Sequence, residues 1–208
     1  MSFGYLGDIS TKIKQKVKNQ GVISVAEAYE LEKKGQLTGS YELITRTVLS
    51  SQTDTEFTTL RESEFDVHVF QFEQIVMSGA DTLRAVVSND GGSTYETGSN
   101  YDGELQSVTA NGSASQDDRD GFTSWDRILQ NQANVEMSGT LTVYNMGDAT
   151  CYTSAHQEVQ SRTSSGVQTK HGGHVYLVKE TVNAIKFQLS SNNMTGAISV
   201  FGYRTWVH

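Results

Sequence analysis

The chain contains no proline. That excludes Pro-rich linkers and any turn built on a cis-proline. It has one cysteine, Cys151, so no internal disulfide can form. The core must then be held by packing and by subunit contacts, an arrangement suited to assembly in a reducing cytoplasm. Positive charge is scarce: 16 Lys and Arg stand against 24 Asp and Glu, a net charge of -8. A chain that acidic lacks the broad basic face of a general nucleic-acid binder. No apolar run approaches the ~20 residues a spanning helix needs. Met1-Ser-Phe-Gly does not open a basic segment followed by an apolar one, so no signal peptide is expected. These absences predict a soluble protein with no nucleic-acid partner and no membrane insertion.

What is abundant is glycine, with 19 residues, together with Ser and Thr; 9 Tyr, 8 Phe and 2 Trp supply core material. Gly/Ser/Thr-rich turns between β-branched and aromatic runs are the composition of an all-β fold. At 208 residues the chain fits one β-domain with a short extension.

The extension is residues 1–44. Six of the 16 basic residues lie between Lys12 and Lys34. Ser10 or Thr11 can cap a helix reaching Asn19, and Ile9, Ile13 and Val17 recur at helical spacing. Gly21 stops it. Ser24-Val-Ala-Glu27 is a capping box, and Gly35 follows Lys33-Lys34 as a C-terminal stop, so residues 24–34 are predicted as a second helix. Its inward side carries Val25, Tyr29 and Leu31, with Ala28. Two short helices with narrow apolar faces bury little by themselves. Ile9, Ile13, Val17, Val25, Tyr29 and Leu31 are therefore the expected docking residues, toward a partner protein or a neighbouring subunit.

Residues 45–208 read as the β-domain. Residues 42–51 and 57–60 are the first runs. Residues 65–74, FDVHVFQFEQ, alternate cleanly: Phe65, Val67, Val69 and Gln71 on one side, Asp66, His68, Phe70 and Phe72 on the other. Apolar residues on both sides predict a central strand. Residues 82–88 follow, then the turn signal Asn89-Asp90-Gly91-Gly92, with Tyr95 opening the return. Residues 98–124 read as long loops. Residues 125–129 fit a strand or a helical turn. Residues 137–145 and 151–158 are strands, 161–173 a Gly/Ser-rich loop, and 174–178 another strand. Residues 183–203 read as two β-runs folded into a closing hairpin, with Gly196 near its turn. Eight to ten strands with no intervening helix exclude βαβ folds and predict a mainly β, antiparallel sandwich, jelly-roll-like, after a short N-terminal helical segment.

Chemical signals are weak. Asp117-Asp118-Arg119-Asp120-Gly121 lacks the distal bidentate Glu of a calcium loop and reads as a solvated acidic loop. His171-Gly-Gly-His174 offers two imidazoles, but a zinc site needs more ligands, and His156 and Cys151 lie in another segment. No Gly-x-Ser-x-Gly nucleophile elbow occurs. Neither an enzyme, a cofactor nor a metal is expected. Tyr95, Tyr101, Trp125 and Tyr152 are candidates for sugar stacking, each with a buried-core alternative.

Leu6 to Ile44, LGDISTKIKQKVKNQGVISVAEAYELEKKGQLTGSYELI, resembles the leader of virion appendage proteins of tailed bacteriophages of marine and cyanobacterial type. The β-domain resembles the sandwich regions of tail-fibre-like proteins. The matching stretches are Phe65-Asp66-Val67-His68, Ser88-Asn89-Asp90-Gly91-Gly92-Ser93-Thr94-Tyr95, Met137-Ser138-Gly139-Thr140-Leu141, and Val182-Asn183-Ala184-Ile185-Lys186-Phe187 with Gly196. The resemblance implies a non-enzymatic virion protein made in the host cytoplasm. By family analogy it is a homotrimer, attached by its N-terminus to other virion proteins and presenting its β-domain to a host-surface receptor, such as a glycan. A capsid decoration or head-fibre protein and a free-standing carbohydrate-binding module are the alternatives.

Overall fold

In the computed structural model, which describes residues 41–131, 133–163 and 166–203, the alternation expected over residues 65–74 is realised over 67–72; Phe65, buried, and Asp66, exposed, precede the strand, and the register shifts after Phe72. His68, Phe70 and Phe72 are buried, while Gln71 is exposed. They lie on β3 (Val67–Met77), which is central, between β12 (Met194–Tyr203) and β8 (Glu136–Tyr144). The other strands are β1 (Tyr41–Gln52), β2 (Asp54–Phe57), β4 (Asp81–Ser88), β5 (Tyr101–Thr109), β6 (Ala114–Phe122), β7 (Trp125–Asn131), β9 (Ser154–Thr163), β10 (Gly166–Tyr176) and β11 (Ala184–Gln188). They form an eight-stranded sheet, β1-β12-β3-β8-β9-β10-β5-β6, and a four-stranded sheet, β2-β11-β4-β7. Every pairing among the described residues is antiparallel. The mainly β, antiparallel expectation holds.

The chain divides into two units, Met1–Gly39 and Ser40–His208. Residues 41–44, grouped with the leader on sequence, belong to β1. The two predicted helices, with Ile9, Ile13, Val17, Val25, Tyr29 and Leu31, lie outside the described residues.

Both sheets contribute to one hydrophobic core. One half is aromatic: Phe187 of β11 meets Phe57, Phe70 and Phe72 edge-on at centroid distances of 5.9, 5.3 and 5.4 Å. In the other half Tyr101 packs on Trp125 and Tyr176. The Tyr101 hydroxyl donates to Glu96 O at 3.0 Å and accepts from Val87 N–H at 3.1 Å. It thereby ties β5 of the large sheet to β4 of the small one.

Several local expectations are corrected. Residues 183–203 do not pair with each other. β11 lies between β2 and β4 in the small sheet, whereas β12 lies between β1 and β3 in the large one. The Ser/Asn connection is an arch between sheets. Asp81 holds it: its carboxylate accepts backbone N–H bonds from Ser190, Ser191 and Asn192 and one from the Asn192 side chain, at 3.1–3.3 Å. Burial raises the Asp81 pKa, but the bonds from Thr82 N–H, Ser191 N–H and the side chain and N–H of Asn192 outweigh it and bring it to about 2.

Residues 98–124 are no loop: β5 and β6 form a hairpin there. Residues 161–163 belong to β9 and 166–173 to β10. Polar or small residues fill inward positions on these strands, among them Gly103, Ser161, Lys170 and His174, so the apolar alternation that marks a strand is lost. Residues 125–129 lie in strand β7, the expected run at 57–60 is β2, ending at Phe57, and β9 begins at Ser154 rather than 151. The 89–92 turn forms with positive φ at Gly91 and Gly92. It leads from the small sheet to the large one rather than into a hairpin.

Candidate functional site

Strand registers carry side chains across the outer face of the eight-stranded sheet in rows. One row runs Tyr41, Tyr203, Val67, Tyr144, Ser154, Val175, Asp102. The next runs Leu43, Phe201, Val69, Thr142, His156, Gly173, Glu104, Asp118. Both change character along their length. The β1–β8 end is aromatic and aliphatic, and its large side chains are exposed: Tyr41 at 50%, Leu43 at 52%, Tyr144 at 39%. Tyr41 stacks on Phe201 at 4.8 Å. The β5–β6 end is acidic. Asp102, Glu104, Asp118 and Asp120 line an open concavity of about 340 Å³ with Gly103, Gly173 and Val175. The two glycines give that concavity a low floor.

A third row, Arg46, Ser199, Gln71, Thr140, Glu158, His171, Gln106, Gln116, bounds the apolar end with polar groups. Arg46 donates to Glu73 at 2.8 Å, and Ser199 also donates to Glu73. Those two bonds, Arg46 first, hold the Glu73 carboxyl below the usual carboxylate range. A face with an exposed apolar end, a polar border and an acidic end is suited to binding rather than to burial within one chain.

The structure separates the candidate site residues. Tyr101 and Trp125 are wholly buried and present no face to a sugar. The Tyr95 ring is half-buried, with Lys186 Nζ 4.1 Å above it. Tyr152 stays exposed, with Lys179 Nζ 5.1 Å from its ring. His171 and His174 are three residues apart on one strand and therefore face opposite sides of the sheet. His171 is exposed beside Gln106, while His174 is buried. They cannot share a metal. The acidic stretch is likewise strand β6, not a solvated loop: Asp118 and Asp120 line the outer concavity, whereas Asp117 pairs with Arg127. Among the described residues no group of three or more His, Cys, Asp or Glu is placed to hold a metal, and no helix is long and apolar enough to cross a membrane.

His174 is a structural group with a defined proton. Gln157 Nε2 donates to Arg127 O at 3.3 Å, which leaves Gln157 Oε1 to accept from His174 Nε2–H at 2.8 Å. A Cβ on Gly103 would lie 2.7 Å from His174 Nδ1, so glycine there makes room for the ring. Burial, helped by His156, pushes the His174 pKa down to about 4. The folded pKa lies below the unfolded value of about 6.5, so the unfolded chain binds the extra proton first. Stability is complete above that pH and declines as pH falls from about 6.5 to about 4, by roughly 3 kcal/mol at most. Urea denaturation from pH 8 to pH 4 should show this slope, and His174→Gln should flatten it.

Sequence reasoning missed the outer-face rows because each draws on strands far apart in the chain. The detectable signal was limited to apolar residues on both sides of residues 65–74. Comparison with protein-family models, with curated proteins and with solved structures finds no match to this chain.

Proposed function

We propose that this protein is a non-enzymatic structural component of a bacteriophage virion, a short tail-fibre or spike-type appendage. Its N-terminal segment, the residues ahead of β1, attaches to other virion proteins through Ile9, Ile13, Val17, Val25, Tyr29 and Leu31. Its β-domain is a sandwich displayed for recognition of a host surface. The observation that carries the binding part of this reading is the outer face of the large sheet, where Tyr41, Leu43, Tyr144 and Tyr203 stand exposed at one end and four carboxylates gather at the other. Exposed aromatic rings offer apolar faces to a sugar or protein surface, and carboxylates accept hydrogen bonds from hydroxyl and amide donors. The resemblance of residues 6–44 to phage appendage leaders supports the virion part. Oligomerisation as a homotrimer would turn weak contacts into avidity.

The test is co-sedimentation of the full chain, a chain lacking residues 1–40, and a Tyr144→Ser/Tyr203→Ser variant, each with purified particles and with host cells. The reading expects the truncation to lose particle binding and the double variant to lose about tenfold or more in cell binding, the scale of one good aromatic contact. Particle binding by the truncation equal to that of the full chain overturns the division of roles. Binding to shells without binding to cells transfers the protein to the decoration class. Glycan binding by a monomer that ignores particles makes it a carbohydrate-binding module.

A further inference from the structure

Lys170 is 9% exposed and lies on β10 of the large sheet. Its Nζ donates to the side-chain Oε1 of Gln130, on β7 of the small sheet, at 2.7 Å. An ammonium carries three donors, and burying it against a neutral amide is costly. Arg127 stands close by with its partners Asp117 and Asp126. Burial first, and then the positive charge of Arg127, lower the Lys170 pKa to about 8, against the opposing pull of Asp117 and Asp126. An appreciable share of this lysine is therefore the neutral amine near neutral pH. A desolvated neutral amine held against a carboxamide has the parts needed for acyl transfer.

We propose that Lys170 and Gln130 form an intramolecular isopeptide bond that joins the two sheets. The neutral Lys170 Nζ attacks Gln130 Cδ, making the new N–C bond. The Cδ–Nε2 bond breaks, and Nε2 leaves as ammonia after taking up the proton that Nζ gives up. The proton passes directly from Nζ to the departing Nε2 as the C–N bonds exchange, while Asp117 and Asp126 remain paired with Arg127. Amine and primary amide become secondary amide and ammonia, with no oxidant, reductant or added group. The product closes a loop of about 40 residues, the kind of link that limits the unfolded chain most. It replaces a buried charge with a neutral amide.

The experiment is intact-mass measurement of the full chain after incubation at pH 8.5, followed by peptide mapping. The expected mass lies about 17 Da below that of the sequence, one ammonia lost in acyl transfer to lysine. Mapping should recover a branched peptide joining the Gln130 and Lys170 segments. Lys170→Met and Gln130→Leu should each retain their full sequence mass. Full mass in the unsubstituted protein overturns the proposal. So does a 17 Da loss that maps to Asn111-Gly112, where succinimide closure also expels ammonia, with Lys170 and Gln130 recovered in separate unmodified peptides. The unsubstituted protein alone decides the matter, so a variant that fails to fold leaves the result intact.

Discussion

Phe187→Ala is expected to lower the unfolding free energy by about 3–5 kcal/mol, the range for deleting a buried aromatic ring. The size follows from position. Phe187 is 0% exposed on a central strand of the small sheet, and its ring meets Phe57 from that sheet and Phe70 and Phe72 from the large one. Removing it leaves a void bounded by three rings that are themselves fixed by strand pairing, so collapse around the gap is limited. It also removes three edge-to-face contacts, each worth about 0.5–1.5 kcal/mol beyond area burial. Phe187→Leu keeps most of the volume and should cost about half as much or less. Urea denaturation measures both. A loss under about 1 kcal/mol for the alanine variant would show that this cluster does not join the sheets.

Gly196→Ala is the second large effect, at about 3 kcal/mol or more. Here the loss comes from the backbone. Gly196 has φ of 125°, a region nearly closed to other residues. A Cβ there would also stand 2.6 Å from Gln74 O and 2.8 Å from Glu73 O, both backbone atoms of β3. The pairing of β12 with β3 shifts between Thr195 and Ala197, and β3 is itself irregular between Phe72 and Ile75, where Gln74 has φ of 49°. The two irregularities face each other. Alanine can be accommodated only if β12 moves off β3, which loosens that seam of the large sheet and the Tyr203 and Phe201 positions of its outer face. Amide hydrogen exchange should report faster opening along residues 194–203 in this variant. Unchanged protection there would falsify the argument from close approach.

Residues 65–74 were legible as a central strand because a strand buried in its middle on one side and half-covered on the other carries apolar residues on both sides, here Val67 and Val69 on one and Phe70 and Phe72 on the other. Asn89-Asp90-Gly91-Gly92 was legible as a turn because Asp90 and the positive φ of two glycines satisfy it locally: Asp90 Oδ2 accepts from Thr94 Oγ1 at 2.6 Å and Oδ1 from Ser88 Oγ at 2.7 Å. Residues 98–124 and 161–173 were not legible. Their inward positions are occupied by Gly103, Ser161, Lys170, Gly172 and His174, whose partners lie on other strands, so no local window carries a strand signal.

The stretch 183–203 marks the boundary. Its two β-runs and the polar turn between them follow from local side-chain preference, and both runs are strands. Which sheet each run joins is a question of partners. Phe187 is drawn to three phenylalanines from two other strands, and Asp81 collects the arch of residues 190–192 through hydrogen bonds that span about 110 residues. Neither partner is encoded near the turn. The same holds for the binding face. Sequence by itself determined the class of the chain: antiparallel, β-rich, acidic, without a disulfide, with strands where apolar alternation survives. Tertiary structure alone decided the division into eight and four strands, the opposite fates of His171 and His174, the burial of Tyr101 and Trp125, and the rows that bring Tyr41, Tyr203 and Tyr144 together. The physical reason is that side-chain periodicity is a local property of the backbone, whereas strand partners are selected by complementary burial between segments distant in the chain.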